Sequence, residues 1–311
     1  MKALVAGWFS YQHSDFTAGD LLASDVVAAW LEQAAVPFDI AVARPLTGGV
    51  DIQAIAAPDY SVVIFVCGPF MRNHWEAAFL GQFADQFLIG INLSMPFPLR
   101  AWNPFDVLIE RDSDRIARPD LSLLSPRQIL PVVGVCLCDP YDEADVPRAN
   151  TFVQRLLDSR EMACVPIDTR LDRNATGLRT KSEVESLLAR MDAVVTTRLH
   201  GTILSLRNGV PPVVIDPEPG GGRIRRQAES LGWPFVFTVD RLEDAALRTA
   251  LTRCLAPEAR ALARRAASAG AARLHDVRAL FVEALSSARQ TTKAADRAAF
   301  AAGAGWVRTE K

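Results

Sequence analysis

Two doubly wound, parallel-sheet (Rossmann-like) α/β domains facing a cleft are the fold class that this sequence predicts. Three observations predict it. Short apolar runs recur along the chain, among them Ala3–Gly7, Val62–Cys67 and Val132–Cys138. Each is followed by a stretch with helical spacing of its apolar residues, and strands alternating with helices build a parallel sheet covered on both faces. The series then starts again beyond Arg111–Arg127, a polar stretch with Pro119 and Pro126 that reads as an interdomain linker. With 311 residues the chain is long enough for two cores.

Taken in order, Lys2–Phe9 reads as a buried strand that breaks into the polar, small-residue loop Ser10–Asp20. Leu21–Ala35 follows as a helix with Leu22, Val26, Val27, Trp30 and Leu31 at helical spacing. The loop lacks the G-x-G-x-x-G spacing of a dinucleotide turn, so a Rossmann NAD site is rejected. Pro37–Ala43, Ser61–Gly68, Gln86–Leu93 and Phe105–Glu110 read as further strands, Asn73–Phe83 as a helix, and Ser94–Pro104, with Pro96, Pro98 and Pro104, as a loop. In the second series the strands are Pro131–Cys138, Met162–Ile167, Ala193–Thr196, Val213–Asp216 and Phe235–Val239. Helices are expected over Pro147–Ser159, Lys181–Arg190, Gly201–Arg207 and Ile224–Leu231, and an alanine-rich helical region over Arg241–Ser287. The expected domains are therefore 1–128 and 129–290, with residues 291–311 as an alanine-rich tail.

The formal net charge of −2 provides no global field for nucleic acid or a membrane surface. No apolar run reaches the roughly 20 residues that span a bilayer. Met1-Lys2 runs straight into a strand rather than a signal peptide, so a cytoplasmic protein is expected. Cys67, Cys136, Cys138, Cys164 and Cys254 are an odd number, four of them in apolar runs, and are expected to be buried free thiols. Cys136 and Cys138 alternate on a strand with no second pair nearby, so no metal site is expected.

The chemistry concentrates where strands hand over to helices. Arg198-Leu199-His200-Gly201 joins an apolar strand to a helix. In an open α/β sheet that corner lies at the carboxyl end of a strand, where ligands bind. A helix start adds unpaired N–H groups and a positive dipole end, so the corner suits an anion. His200 is the strongest acid–base candidate of the four histidines. His13 lies in the first strand-to-helix loop and is open to either reading, His74 fits a cap, and His275 the surface. Asp20, presented by Gly19, fits helix capping and equally a carboxylate that orients or deprotonates a hydroxyl. Arg223 follows Gly220-Gly221-Gly222, a loop with maximal backbone freedom from which a planar guanidinium can close on an anion.

With these residues in view, the sequence resembles the polysaccharide pyruvyl transferase family. The resemblance rests on Gly19-Asp20 before the first helix, on Asp192-Ala-Val-Val195 leading into Arg198-Leu199-His200-Gly201, and on Gly209-Val-Pro211 before the strand Val213–Ile215. It is strong over 190–216 and faint elsewhere. Cys67-Gly68-Pro69-Phe70 stands where the family usually has a glycine-rich turn, and Arg223 where a lysine is usual.

The resemblance implies a fold like the two-domain B-type glycosyltransferases. It implies transfer of a pyruvyl group from phosphoenolpyruvate to a saccharide or lipid-linked saccharide, forming a ketal in exopolysaccharide or cell-surface glycan synthesis. Phosphoenolpyruvate would bind residues 129–290 through Arg198, Arg223 and the helix start at Gly201, with His200 moving protons. The acceptor would bind residues 1–128, where Asp20 or His13 would activate it beside Gly19. The donor is a substrate, and no metal or organic cofactor is implied. Such an enzyme is expected in the cytoplasm or at the inner membrane face. Two other readings are a B-type glycosyltransferase using a nucleotide sugar, with Glu218 toward the ribose, and a non-catalytic member that binds an anionic sugar.

Overall fold

The computed structural model describes residues 1–12, 15–142 and 144–290. His13 and the tail 291–311 lie outside the described residues. The chain divides into two compact units at Gln128/Ile129, each built on its own parallel sheet.

The N-terminal unit contains strands β1 (Ala3–Gly7), β2 (Phe38–Val42), β3 (Val50–Asp51), β4 (Val62–Val66), β5 (Phe87–Ile91) and β6 (Val107–Ile109). Its helices are α1 (Ala18–Gln33) and α2 (His74–Gln82). The strand order is β3-β2-β1-β4-β5-β6, all parallel, with Ala3 opposite both Phe38 and Val62. β1 is buried from end to end because helices or loops cover both of its faces. Alternation sends Ala3 and Val5 toward Ala23 and Val27 of α1, and Leu4 and Ala6 toward Phe79 and the adjoining Phe83. The two-residue β3 has no counterpart among the expected strands; it is too short to leave a pattern.

Arg111–Arg127 is not a free linker. Arg111 holds Asp112 and Asp120 at 2.7 and 2.9 Å, Arg115 reaches the buried Glu110 at 3.1 Å, and the Leu121 N–H donates to Asn92 Oδ1 at 3.0 Å. Its polar composition reads as a linker, but Arg111, Asp112 and Asp120 pair with each other, and Arg115 and Leu121 tie the segment to Glu110 and Asn92 of the N-terminal unit.

The C-terminal unit contains β7 (Val132–Cys136), β8 (Ala163–Pro166), β9 (Ala193–Thr196), β10 (Pro212–Asp216) and β11 (Val236–Thr238). Its helices are α3 (Val146–Asp158), α4 (Lys181–Leu188), α5 (Leu199–Arg207), α6 (Arg223–Ser230), α7 (Asp244–Cys254), α8 (Ala259–Arg273) and α9 (His275–Gln290). The order is β11-β10-β9-β7-β8, again all parallel. One face packs Val133, Val195 and Ile215 against α3 and α7, the other packs Val194 against Val184 and Leu188 of α4, and α8 lies against α5. From β7 the chain steps outward to β8, then returns across β7 to β9. The carboxyl ends of β7 and β9 thus flank the point where the winding direction reverses, the place where such sheets leave a crevice. All five cysteines are free, but only Cys67, Cys136 and Cys254 are buried; Cys164 is exposed because β8 is an edge strand. No helix among the described residues is long and apolar enough to cross a membrane.

Candidate active site

At the reversal point of the C-terminal sheet lies an open pocket of about 390 Å³. Its walls come from Cys138–Tyr141 after β7, Thr169 after β8, Thr197–His200 after β9, and Arg223 and Ile224 at the start of α6. Two threonines hold the carboxyl ends of β7 and β9 together. Thr196 Oγ1 donates to the Cys136 carbonyl at 2.9 Å, and Thr197 Oγ1 accepts from the Cys138 N–H at 2.8 Å.

The sequence placed the helix start at Gly201, but α5 begins at Leu199, with Arg198 as its N-cap residue. Arg198 cannot cap with its side chain, so the first N–H groups of α5 gain no cap from it. His200 is exposed in the first turn, at the pocket. Gly201 is buried, and a Cβ there would stand 2.2 Å from Thr196 Oγ1 and 3.0 Å from Cys136 Sγ. Its glycine is required for close packing of helix on sheet.

Arg198 sits at the pocket wall in a charged cluster. Its Nε donates to the Leu137 carbonyl, its Nη2 lies 3.3 Å from Asp139 Oδ2, and its Nη1 lies 3.6 Å from Asp168 Oδ1. Arg170 shares both carboxylates, at 2.5 Å to Asp139 and 2.9 Å to Asp168. Burial raises the Asp168 carboxyl, but hydrogen bonds from Arg170 and the Ala175 N–H, with the charge of Arg198, outweigh it and hold the group down at about 2. Asp139, Asp168 and Arg170 were not singled out from the sequence. Each follows a strand, and that position was the available signal.

Arg223 is the exposed first residue of α6, its guanidinium 5.6 Å from the Tyr141 ring centre. The glycine loop before it is anchored rather than free. The wholly buried Asp216 accepts from the N–H groups of Glu218, Gly222 and Arg225 at 3.1, 2.7 and 2.8 Å, and Asp240 accepts from the Gly220 N–H at 2.9 Å. Asp216 thereby occupies the α6 N-terminus. Tyr141 donates its hydroxyl to Glu218 at 3.1 Å; burial and then this carboxylate push the phenol above its usual range.

Residues 172–219 match the polysaccharide pyruvyl transferase family. The matched segment carries Arg198, His200, Asp216 and Glu218; Asp139, Asp168, Arg170 and Arg223 lie outside it. No curated protein matches the chain. Among solved structures, the calicheamicin glycosyltransferase CalG4 is similar at 16% identity over 91% of this chain and 97% of that one, with a TM-score of 0.35. The UDP-GlcNAc 2-epimerase of Methanocaldococcus jannaschii gives 8%, 83%, 94% and 0.32. MurG of Acinetobacter baumannii gives 9%, 86%, 94% and 0.29. The fold of each unit is given by its own parallel strand order.

The remaining candidates belong to the N-terminal unit. Asp20 is the third residue of α1, and its Oδ2 accepts from the Thr17 N–H and hydroxyl at 2.7 and 2.9 Å, a capping box with Thr17 as N-cap. A Cβ on Gly19 would meet only Thr17 Oγ1, at 3.4 Å, so space does not demand glycine there. Neither residue lines the smaller pocket of this unit, about 160 Å³ between Ser10–Gln12, Arg44 and Asp51. At the reversal point of this sheet, a Cβ on Gly68 would lie 2.5 Å from the Trp8 ring, which stacks edge-on against Trp75 at 4.9 Å. Aromatic packing fills that corner.

Proposed function

We propose that this chain transfers the pyruvyl group of phosphoenolpyruvate to two hydroxyls of a saccharide, forming a cyclic ketal. The observation that carries the reading is the Arg198-Leu199-His200 corner at the reversal point of the C-terminal sheet, inside the family-matched segment. Phosphoenolpyruvate brings a phosphate and a carboxylate. The pocket offers Arg198, the exposed Arg223 and the start of α5. An arginine in the first turn of a helix opposes the dipole, and an anionic substrate beside Arg223 relieves that opposition.

In the reaction, one sugar hydroxyl bonds to the enol carbon and gives its proton to His200, and His200 delivers a proton to the methylene carbon, which becomes methyl. The second hydroxyl then displaces phosphate from the same carbon and its proton leaves with the phosphate. Histidine suits both transfers because as a residue type it exchanges protons near neutral pH. No cofactor enters this scheme. Asp20 is proposed on the acceptor side through the carboxylate oxygen turned away from Thr17, with Gly19 beside it; His13 is proposed with them. The nucleotide-sugar reading is weakened by Asp216, whose carboxylate fills the α6 N-terminus that a diphosphate would use.

The test is phosphate release and ketal formation, followed by NMR, with purified protein, phosphoenolpyruvate and a panel of glycosides. His200→Ala is expected to lower the rate by roughly 10²-fold or more. Undiminished transfer by that variant would remove His200 from the chemistry.

A further inference from the structure

The charged cluster behind the pocket contains two guanidiniums and two carboxylates, and the carboxylates are unlike. Asp168 has a side chain only 7% exposed, accepts from Arg170 at Oδ1 (3.3 Å) and Oδ2 (2.9 Å), and also accepts the Ala175 N–H at 3.1 Å. Asp139 is 53% exposed, on the pocket wall, and one oxygen alone makes both of its arginine contacts, 2.5 Å to Arg170 and 3.3 Å to Arg198. A single oxygen bridging two guanidiniums is also what a phosphate or carboxylate ligand presents. With both aspartates in place the cluster is neutral, and a neutral cluster attracts an anion poorly. Without Asp139 it carries one net positive charge, beside Arg223 and the positive end of α5.

We propose that Asp139 holds the place of the substrate's anionic group on Arg170 and Arg198, and leaves both guanidiniums when that anion binds. Arg170, which stands behind Asp139 at the pocket wall, thereby becomes a binding residue, and Asp168 the fixed counter-charge of the two arginines. The inference rests on the reading of this pocket as the phosphoenolpyruvate site. A place-holder reduces apparent affinity by the fraction of molecules in which the arginines are free. Removing it is therefore expected to tighten anion binding by about tenfold, where the arginines are free about one time in ten.

Calorimetric titration of the full chain with inorganic phosphate and with phosphoenolpyruvate tests this, on wild type, Asp139→Asn, Asp139→Ala and Arg170→Gln. Both Asp139 variants are expected to bind each anion about tenfold more tightly, and Arg170→Gln several-fold more weakly. Equal or weaker binding by both Asp139 variants would overturn the place-holder. Unchanged binding by Arg170→Gln would overturn the arginine's role as a binding residue. Ketal formation is followed on the same preparations. Tighter anion binding with no ketal in any variant leaves this inference standing and removes the pyruvyl-transfer reading; ketal formation with no tightening does the reverse.

Discussion

Asp168 joins stability to site geometry at a single residue. Its carboxyl lies below its usual range in the folded protein, so its contribution is complete above about pH 4 and is lost as pH falls toward about 2. The shift corresponds to on the order of 2 kcal/mol, and roughly half is gone by pH 3. Urea unfolding of wild type and Asp168→Asn should therefore differ most near pH 6, with the difference narrowing by roughly half as pH drops to 3; a constant difference would deny the ionic origin. Gly201 provides a steric counterpart. A methyl at that position meets Thr196 Oγ1 within 2.2 Å, so Gly201→Ala should cost about 1–3 kcal/mol in urea unfolding. An unchanged midpoint would mean that α5 can lift off the sheet without penalty.

Asp216 governs an element boundary. Three N–H groups converge on its buried carboxylate and define both the glycine loop and the start of α6. Asp216→Ala leaves them without that acceptor, with an expected loss of about 1–3 kcal/mol for each group that stays dry. Hydrogen exchange should show the Gly222 and Arg225 amides losing protection before the strands do; equal protection in the variant would mean another group replaces Asp216. The strands themselves were legible in the sequence because a strand buried on both faces is apolar throughout, as β1 and β4 are. The Arg198-Leu199-His200 corner was legible for the same reason: charge appears abruptly where a buried run ends. Helix starts were read two or three residues late at α1 and α5, since Ala18-Gly19 and Leu199-His200 show no apolar periodicity of their own. The charged cluster was not legible, because Asp139, Asp168 and Arg170 acquire meaning only when three strand ends are set side by side.

For the whole molecule, the division at Gln128/Ile129 has a direct consequence. Every residue lining the pocket at the β7/β9 reversal belongs to 138–224. Residues 129–290 alone should therefore bind phosphoenolpyruvate within about twofold of the full chain, measured by calorimetry, because no binding group has been removed. Loss of binding in a folded fragment would show that the N-terminal unit supplies part of the donor site. Ketal formation by that fragment should be absent if the acceptor is held by residues 1–128.

The cluster also sets an order of assembly during synthesis. Asp139 precedes Arg170 by 31 residues and Arg198 by 59. A chain emerging from the ribosome presents both aspartates to Arg170 before Arg198 has been made, and domains begin to fold during synthesis. For that interval the nascent cluster of Asp139, Asp168 and Arg170 carries one excess negative charge. The charges of the cluster therefore balance only after β9 has taken its place beside β7.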